Sequence, residues 1–417
     1  MIQPFPIVDC DLLITGDLLI DPLSGFKGHG QIAISNKRIV AFEAASTQWN
    51  ARQVLDTTGQ IVCPGLIDLH VHAYEWVTNF GLPADDAGIH SGATTIVDQG
   101  SAGAWTVGGF KGHIADRAKT DVRCFVSANL AGALQGGMEG TTLHSPDMTR
   151  VDELVRVANE YPSFIKGIKS HAESGGLSHW GTTVLEMALV AANQADLPIY
   201  VHTGELFPVN EATRPSAKTV LQKAVSLLRP GDTLAHVYSA MPDGIMGQSQ
   251  SIPPAVFEAL EKGIHFDIGY GLNFSYAIAS RMLEAGILPH TISSDVHADF
   301  NGYHDDSKLD YSLCGVMTRL WGLGMSLEDI IARTTYHPAQ LIREENEIGT
   351  LAVGSRADIT ILDFKQEPWT LSDGQAETLS LNQRLIPAWV IRAGELIEPN
   401  RRLLRDVCHR PSTVGTG

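Results

Sequence analysis

From Cys63 to about residue 340 the chain repeats one unit: a short apolar run, an amphipathic stretch, then another apolar run. The apolar runs read LIDLHV, GATTIVDQG, VRCFVSANL, FIKGIKS, PIYVHTG, TLAHVYS, IHFDIGYG and TISSDVH, eight in all. Between them lie segments such as RVDELVRVANEY, TVLEMALVAANQ, AVFEALEKG and YAIASRMLEAG, several ending on the Gly that stops a helix. Alternation of this kind predicts parallel strands joined by crossover helices. Eight such units over roughly 270 residues have the size of a (β/α)8 barrel. A doubly wound open sheet is the alternative, but no G-x-G-x-x-G follows the first strand to support it.

The flanks have a different texture. DLLITGDLLI, GQIAISNKRIVAFEA and QVLDTTGQIV read as short strands, with tight turns expected at Gly16-Asp17 and Asn36-Lys37. GTLAVGSRADITILDF and AWVIRAGELIEP return to strands at the other end. The expected architecture is therefore α/β: a (β/α)8 TIM barrel over residues 63–340, with a small β-sandwich domain formed by residues 1–62 and 341–417.

Composition narrows the class. With 44% hydrophobic and 18% charged residues, the 417-residue chain is globular rather than disordered. A formal net charge of -17 repels nucleic acid and anionic membrane, so neither is expected as a partner. Cys10, Cys63, Cys124, Cys314 and Cys408 are scattered, odd in number and without a C-x-x-C pair. They read as buried thiols in a reducing compartment. No signal peptide is apparent and no apolar run is long enough to span a bilayer. A cytoplasmic protein acting on a small molecule, as a homo-oligomer, is the expectation.

Chemistry in a barrel gathers at the C-terminal ends of its strands. There the first run carries Asp68, His70 and His72 on alternate positions, hence on one expected strand face. The fourth carries Lys166 and Lys169, the fifth ends in His202, the sixth in His236 and the eighth in Asp295. Each has an ordinary explanation alone: a hydrogen-bonded core histidine, a snorkelling lysine, an aspartate capping a helix. Together they converge on one rim, where imidazoles and a carboxylate are costly unless paired or coordinated. Such nitrogen and oxygen donors suit zinc, manganese, iron or cobalt.

PGLIDLHVH, a strand-four lysine, histidines closing strands five and six and an aspartate closing strand eight together resemble the amidohydrolase superfamily of metal-dependent hydrolases. The likeness extends to the N-terminal β segment, to TTYHPAQLIR and to IGTLAVGSRADITILD, nearly the whole chain. VDQGSAGAWTVGGF, GIKSHAESGGLSHWG and FDIGYGLNFSY are similar to a dihydroorotase-like group whose members deacetylate acetylated hydroxy acids such as acetyl-(R)-mandelate. The resemblance implies two divalent ions, zinc first among the candidates. It places one on His70, His72 and Asp295, and the second on His202 and His236. Lys169, carboxylated by CO2 to a carbamate, bridges them. Lys169 rather than Lys166 matches the family's GIK position and lies nearer the strand's C-terminal end. The two have opposite parity, so only one points inward.

The implied reaction is hydrolysis of an ester or amide bond by a metal-bridging hydroxide, with Asp295 as general acid and base. Asp68 is expected to orient a ligand or to bond backbone. AYEW after His72 lacks the arginine with which dihydroorotases of the family grip a carboxylate, so dihydroorotase activity is not expected. Tyr74, Trp76, His171, Tyr238, Tyr270 and Asn273 are the substrate-contact candidates; Trp105, Trp180 and Phe274 lie in similar loops. His171 stands where near relatives often carry a basic residue; either it does that residue's job more weakly, or the substrate is a neutral ester, amide or lactam. The alternatives are a cyclic-amide hydrolase of the hydantoinase or dihydropyrimidinase type, and a non-catalytic scaffold of the same fold.

Overall fold

The computed structural model describes residues 8–403 apart from 45–46, 135–139, 247–248, 272–273, 299–310, 367, 374 and 376. The chain opens with β1 (Val8–Asp21), β2 (Phe26–Ser35), β3 (Arg38–Glu43), β4 (Trp49–Asp56) and β5 (Gln60–Pro64). The β2–β3 hairpin turns on Asn36 and Lys37, with φ of 51° and 67°, the left-handed pair whose twist suits a two-residue hairpin. Gly16-Asp17 is not a turn. β1 runs through it with a register slip between Gly16 and Leu19, a bulge that lets one half of the strand pair with β4 and the other with β5.

The repeating region then gives β6 (Leu66–Val71), β7 (Ala93–Gly103), β8 (Asp121–Ser127), β9 (Ile165–Ala172), β10 (Ile199–Thr203), β11 (Thr233–Leu234) and β12 (His265–Phe266), hydrogen-bonded in sequence order. All neighbouring pairs are parallel. The eighth run, TISSDVH, is not a regular strand, because Asp295 turns left-handed at φ 53°. It still closes the ring. Asp295 N donates to His70 O and His72 N to Val296 O on one side, while Tyr270 N donates to Ser293 O and Gly271 N to Ser294 O on the other. Crossover helices Val151–Glu160 and Thr183–Ala195 bury Leu154 and Val157, and Leu185, Ala188 and Leu189, against the outside of the barrel. Inside it, Ile67, Leu69, Val97, Phe125, Tyr200 and Ala235 pack with Ala339, Leu341, Ile342 and Ile348 of the segment that follows the last crossover. That apolar plug is the floor on which the polar mouth rests.

The chain ends in β13 (Ile359–Lys365), β14 (Trp369–Ser372), β15 (Thr378–Leu381), β16 (Arg384–Arg392) and β17 (Glu395–Ile397). These join the N-terminal strands in one continuous sheet ordered β17-β16-β13-β5-β1-β2-β3, with β4 beside β1; β14 and β15 form a separate hairpin. The sandwich expected from the sequence is thus built from one eight-stranded sheet around Leu12, Ile14, Ile32, Val62, Ile359, Ile361 and Ile391. Cys10, Cys63, Cys124 and Cys314 are buried and unbridged; Cys408 lies outside the described residues. No helix among the described residues is long and apolar enough to cross a membrane.

Candidate metal centre

Simple alternation does not hold along β6. Its pairing with β7 slips between Asp68 and Val71, so Leu69 joins Ile67 in the barrel interior while His70, next in sequence, reaches the mouth. Bulges re-aim side chains in this way beside active sites. Asp68 does not share the face of His70 and His72. Its carboxylate accepts from Ser294 N at 3.0 Å, from Ser294 Oγ, and from His70 N at 3.3 Å, riveting β6 to the eighth segment. On β9, Lys169 pairs in register with Tyr200 and His171 with His202 of β10. Lys166, of the other parity, points away and its Nζ meets Glu344 Oε1 at 2.8 Å.

The hydrogen bonds dictate which imidazole nitrogens are bare. The Tyr200 hydroxyl has one proton and donates it to Asp267 Oδ2 at 2.6 Å, so at 3.0 Å it accepts from His70 Nδ1–H. The lone pair of His70 Nε2 then faces Asp295 Oδ1 at 3.1 Å. His72 Nδ1 is 2.9 Å from Ser101 Oγ, and its Nε2 lies 3.4 Å from the same Asp295 oxygen. His236 Nδ1–H donates to Gly269 O at 2.7 Å and His202 Nε2–H to Gly204 O at 3.2 Å, since a carbonyl can only accept. What remains is His236 Nε2 against His202 Nδ1, two lone pairs 2.8 Å apart.

Protonation is a poor remedy for these contacts. Burial first, then neighbouring positive charge, pushes His70 and His202 well below the ordinary histidine range; burial also lowers His236, with Asp295 opposing. A cation between the bare atoms is the chemistry that satisfies them, and His70, His236 and Asp295 have ligand atoms within 4.8 Å of one another. Lys169 adds to the case. Its Nζ is buried with no hydrogen-bond partner and lies 4.5 Å over the Tyr200 ring. Burial brings its pKa down to about 8, with Asp295 opposing, leaving a share of neutral amine near neutrality. Asp295 also ends low, for a different reason: burial raises it, but the His72 hydrogen bond and the fields of His236 and His297 outweigh that and hold the carboxyl below its ordinary value.

These groups line a cavity of about 120 Å³, with Phe80, Gln99, Gly100, His144, His171, Leu206, Phe207 and His297 completing the walls. That is small beside the ~300–1,000 Å³ of most ligand pockets, so a small group is what reaches the bottom. Of the substrate candidates among the described residues, His171 alone lines it. Tyr74 is buried against Phe110 and donates to Thr106 O. Trp76 is 88% exposed. Tyr238 donates to Ile287 O, and Tyr270 stacks under the guanidinium of Arg319. Asn273 lies outside the described residues. The sequence reading missed Tyr200, Phe207, His144 and His297. Tyr200 had a signal, since it sits two before His202 on the same strand face; His144 and Phe207 come from loops without periodicity.

A closed barrel whose mouth collects four histidines, a lysine and an aspartate around bare nitrogen and oxygen atoms defines a metal-dependent hydrolase frame, and the chain carries an amidohydrolase family domain. The amidohydrolase family model matches residues 279–397. Over most of its length the chain is similar to proteins named deacetylase: 28% identical to one from Brucella anthropi over 84% of this chain and 83% of that one. A second, from Enterococcus faecalis, is 28% identical over 94% of this chain and 100% of its own. Among solved structures, an adenine deaminase superposes with TM-score 0.79 at 27% identity, over 94% of this chain and 100% of that one. A dihydroorotase superposes equally well, at 25% identity over 93% and 97%.

Proposed function

We propose that this protein is a binuclear metal-dependent deacetylase that removes a small acyl group from an ester or amide. The observation that carries the metal reading is the 2.8 Å contact of two bare imidazole nitrogens, His202 Nδ1 and His236 Nε2, whose N–H groups are both spent on carbonyls. In this reading His70, His72 and Asp295 hold one divalent ion and His202 and His236 the other, with zinc the leading candidate. Carboxylated Lys169 would join the donor set: its neutral amine attacks CO2, a C–N bond forms, one proton leaves, and an unpartnered nitrogen becomes an anionic two-oxygen donor. When bound, such ions polarise a carbonyl and lower the pKa of water.

The chain's own residues do the rest. Asp295, kept ionised, takes the proton of the attacking water and returns it to the departing oxygen or nitrogen. Phe80, Leu206 and Phe207 exclude bulk water, and His171 faces the acyl group as a neutral donor. The names of the relatives support deacetylation over ring opening, because hydantoinases share only the fold, at 17% identity. Buried unbridged cysteines fit a cytoplasmic setting; a homo-oligomer is also proposed, and light scattering decides it. The functional test combines metal analysis with a screen of O-acetyl, N-acetyl and cyclic-amide compounds on zinc-reconstituted protein. Turnover of acetyl compounds is expected. Opening of hydantoins without any deacetylation would replace this reading with the cyclic-amide one.

A further inference from the structure

Glu173 is a fully buried carboxylate just beyond β9. Its two oxygens collect backbone N–H groups from both sides of a cleft: Gly175 at 2.6 Å and Gly176 on its own loop, Leu206 and Phe207 on the loop after β10. The two loops are stitched again further out, where Asn210 N donates to Ser178 Oγ at 2.9 Å and Thr213 Oγ1 to Ser178 O at 2.6 Å. They approach so closely that a Cβ on Gly175 would lie 2.4 Å from Phe207 O. The result is a fixed Phe207 ring, stacked on His144 at 3.6 Å and edge-on to His171 at 4.9 Å.

Behind that ring lies a second cavity of about 30 Å³, lined by Leu177, Trp180, Val184 and Leu185 together with Glu173, Gly176 and Gly181, and sharing Phe207, His144 and His171 with the catalytic one. We propose that Phe207, held in place by Glu173, is the wall that limits the acyl group to acetyl, and that removing it joins the space of its ring to this cavity and admits longer acyl chains. This rests on the deacylase reading above. Phe207 is the specificity-determining residue, and Glu173 a positioning residue acting through it. Each methylene that finds apolar room is worth about 10- to 200-fold in discrimination.

The test is a series of acetyl, butyryl and hexanoyl esters of one alcohol, assayed on zinc-loaded wild type, Phe207→Ala, Phe207→Leu and Glu173→Gln. Wild type should favour acetyl. Phe207→Ala should lower the acetyl-to-hexanoyl ratio of kcat/KM at least tenfold, with Phe207→Leu moving the same way by less. Glu173→Gln should raise KM for acetyl and broaden the series while metal content stays at the wild-type value. A ratio unchanged within twofold in both Phe207 variants, or a wild type that takes hexanoyl as readily as acetyl, overturns the wall. A wild type that cleaves no member of the series overturns the deacylase reading itself, and the wall with it.

Discussion

Tyr200→Phe isolates what holds the first histidine. The Tyr200 side chain is fully buried, and a phenylalanine keeps its ring packing against Phe125 and His70. Only the hydroxyl goes, and with it two hydrogen bonds: the 3.0 Å acceptor of His70 Nδ1–H and the 2.6 Å donor to Asp267. Asp267 keeps Thr291 Oγ1 and Ser293 Oγ, whereas His70 is left with a buried N–H and no acceptor. An unmade buried bond of that kind costs about 1–3 kcal/mol of stability. Losing the partner that orients a ligating imidazole typically costs about 10- to 100-fold in metal affinity, roughly 1.4–2.7 kcal/mol. Denaturant unfolding of metal-free protein reads the first quantity, and competition against a chelator the second. Metal affinity within twofold of wild type, with the variant folded, would refute the inference that the phenol orients His70 toward an ion.

Lys169→Met should abolish turnover, whereas Lys166→Met, which removes a contact with Glu344 that Arg123 continues to pair, should leave kcat within about twofold; equal losses would erase the distinction. Metal-free protein held at a fixed concentration of dissolved labelled CO2 should form a carbamate whose rate climbs as pH rises through about 8, where Lys169 sheds its proton; a pH-independent rate or no adduct counts against it. The sign for stability follows: below about 8 both folded and unfolded states hold that proton, and between there and the ordinary lysine value of about 10.5 only the unfolded state does, so stability rises with pH across that window. Asp295→Asn should lose about 10²–10⁴ in kcat while the histidines still take up metal; near-normal turnover removes it from proton transfer. Gly269→Ala forces a methyl to within 2.9 Å of His236 Nδ1 and 3.1 Å of His70 Nδ1, at φ 43°, so metal affinity should fall at least tenfold; unchanged affinity means the rings can yield.

The barrel was legible because its signal is repetitive: apolar runs alternating with amphipathic helices leave few topologies open. What the sequence blurred were places where side chains override the strand period. LIDLHV looks like strict alternation, yet the slip between Asp68 and Val71 puts Leu69 in the floor and His70 in the mouth, and turns Asp68 toward Ser294. Nothing in six residues announces a bulge. Gly16-Asp17 misled in the opposite sense, since a glycine expected to turn the chain sits in a bulged strand that needs two parallel partners in succession.

The aromatic candidates show why a cavity wall resists prediction. Tyr74, Tyr238 and Tyr270 sit near the rim in sequence, but each ring is spent on packing: the first two phenols donate to backbone carbonyls, and the Tyr270 ring lies under the Arg319 guanidinium. Phe207 and His144 carry no period and become neighbours only because Glu173 gathers amides from two loops. The polar donors were legible for the complementary reason: each stands in or just beyond one of the repeated apolar runs, which mark one rim whatever the local period. Even there the backbone departs from the pattern, with His236 at φ 64° and Asp295 at φ 53°, conformations that cost about 1–3 kcal/mol each for such residues. Strain of that order persists only where the surroundings over-determine it. Here they do: Gly269 O holds the His236 ring, and His70 O accepts from Asp295 N. The two left-handed residues supply the donors of the sixth strand and of the eighth segment, so the strain falls where strands must stop short to aim a side chain inward.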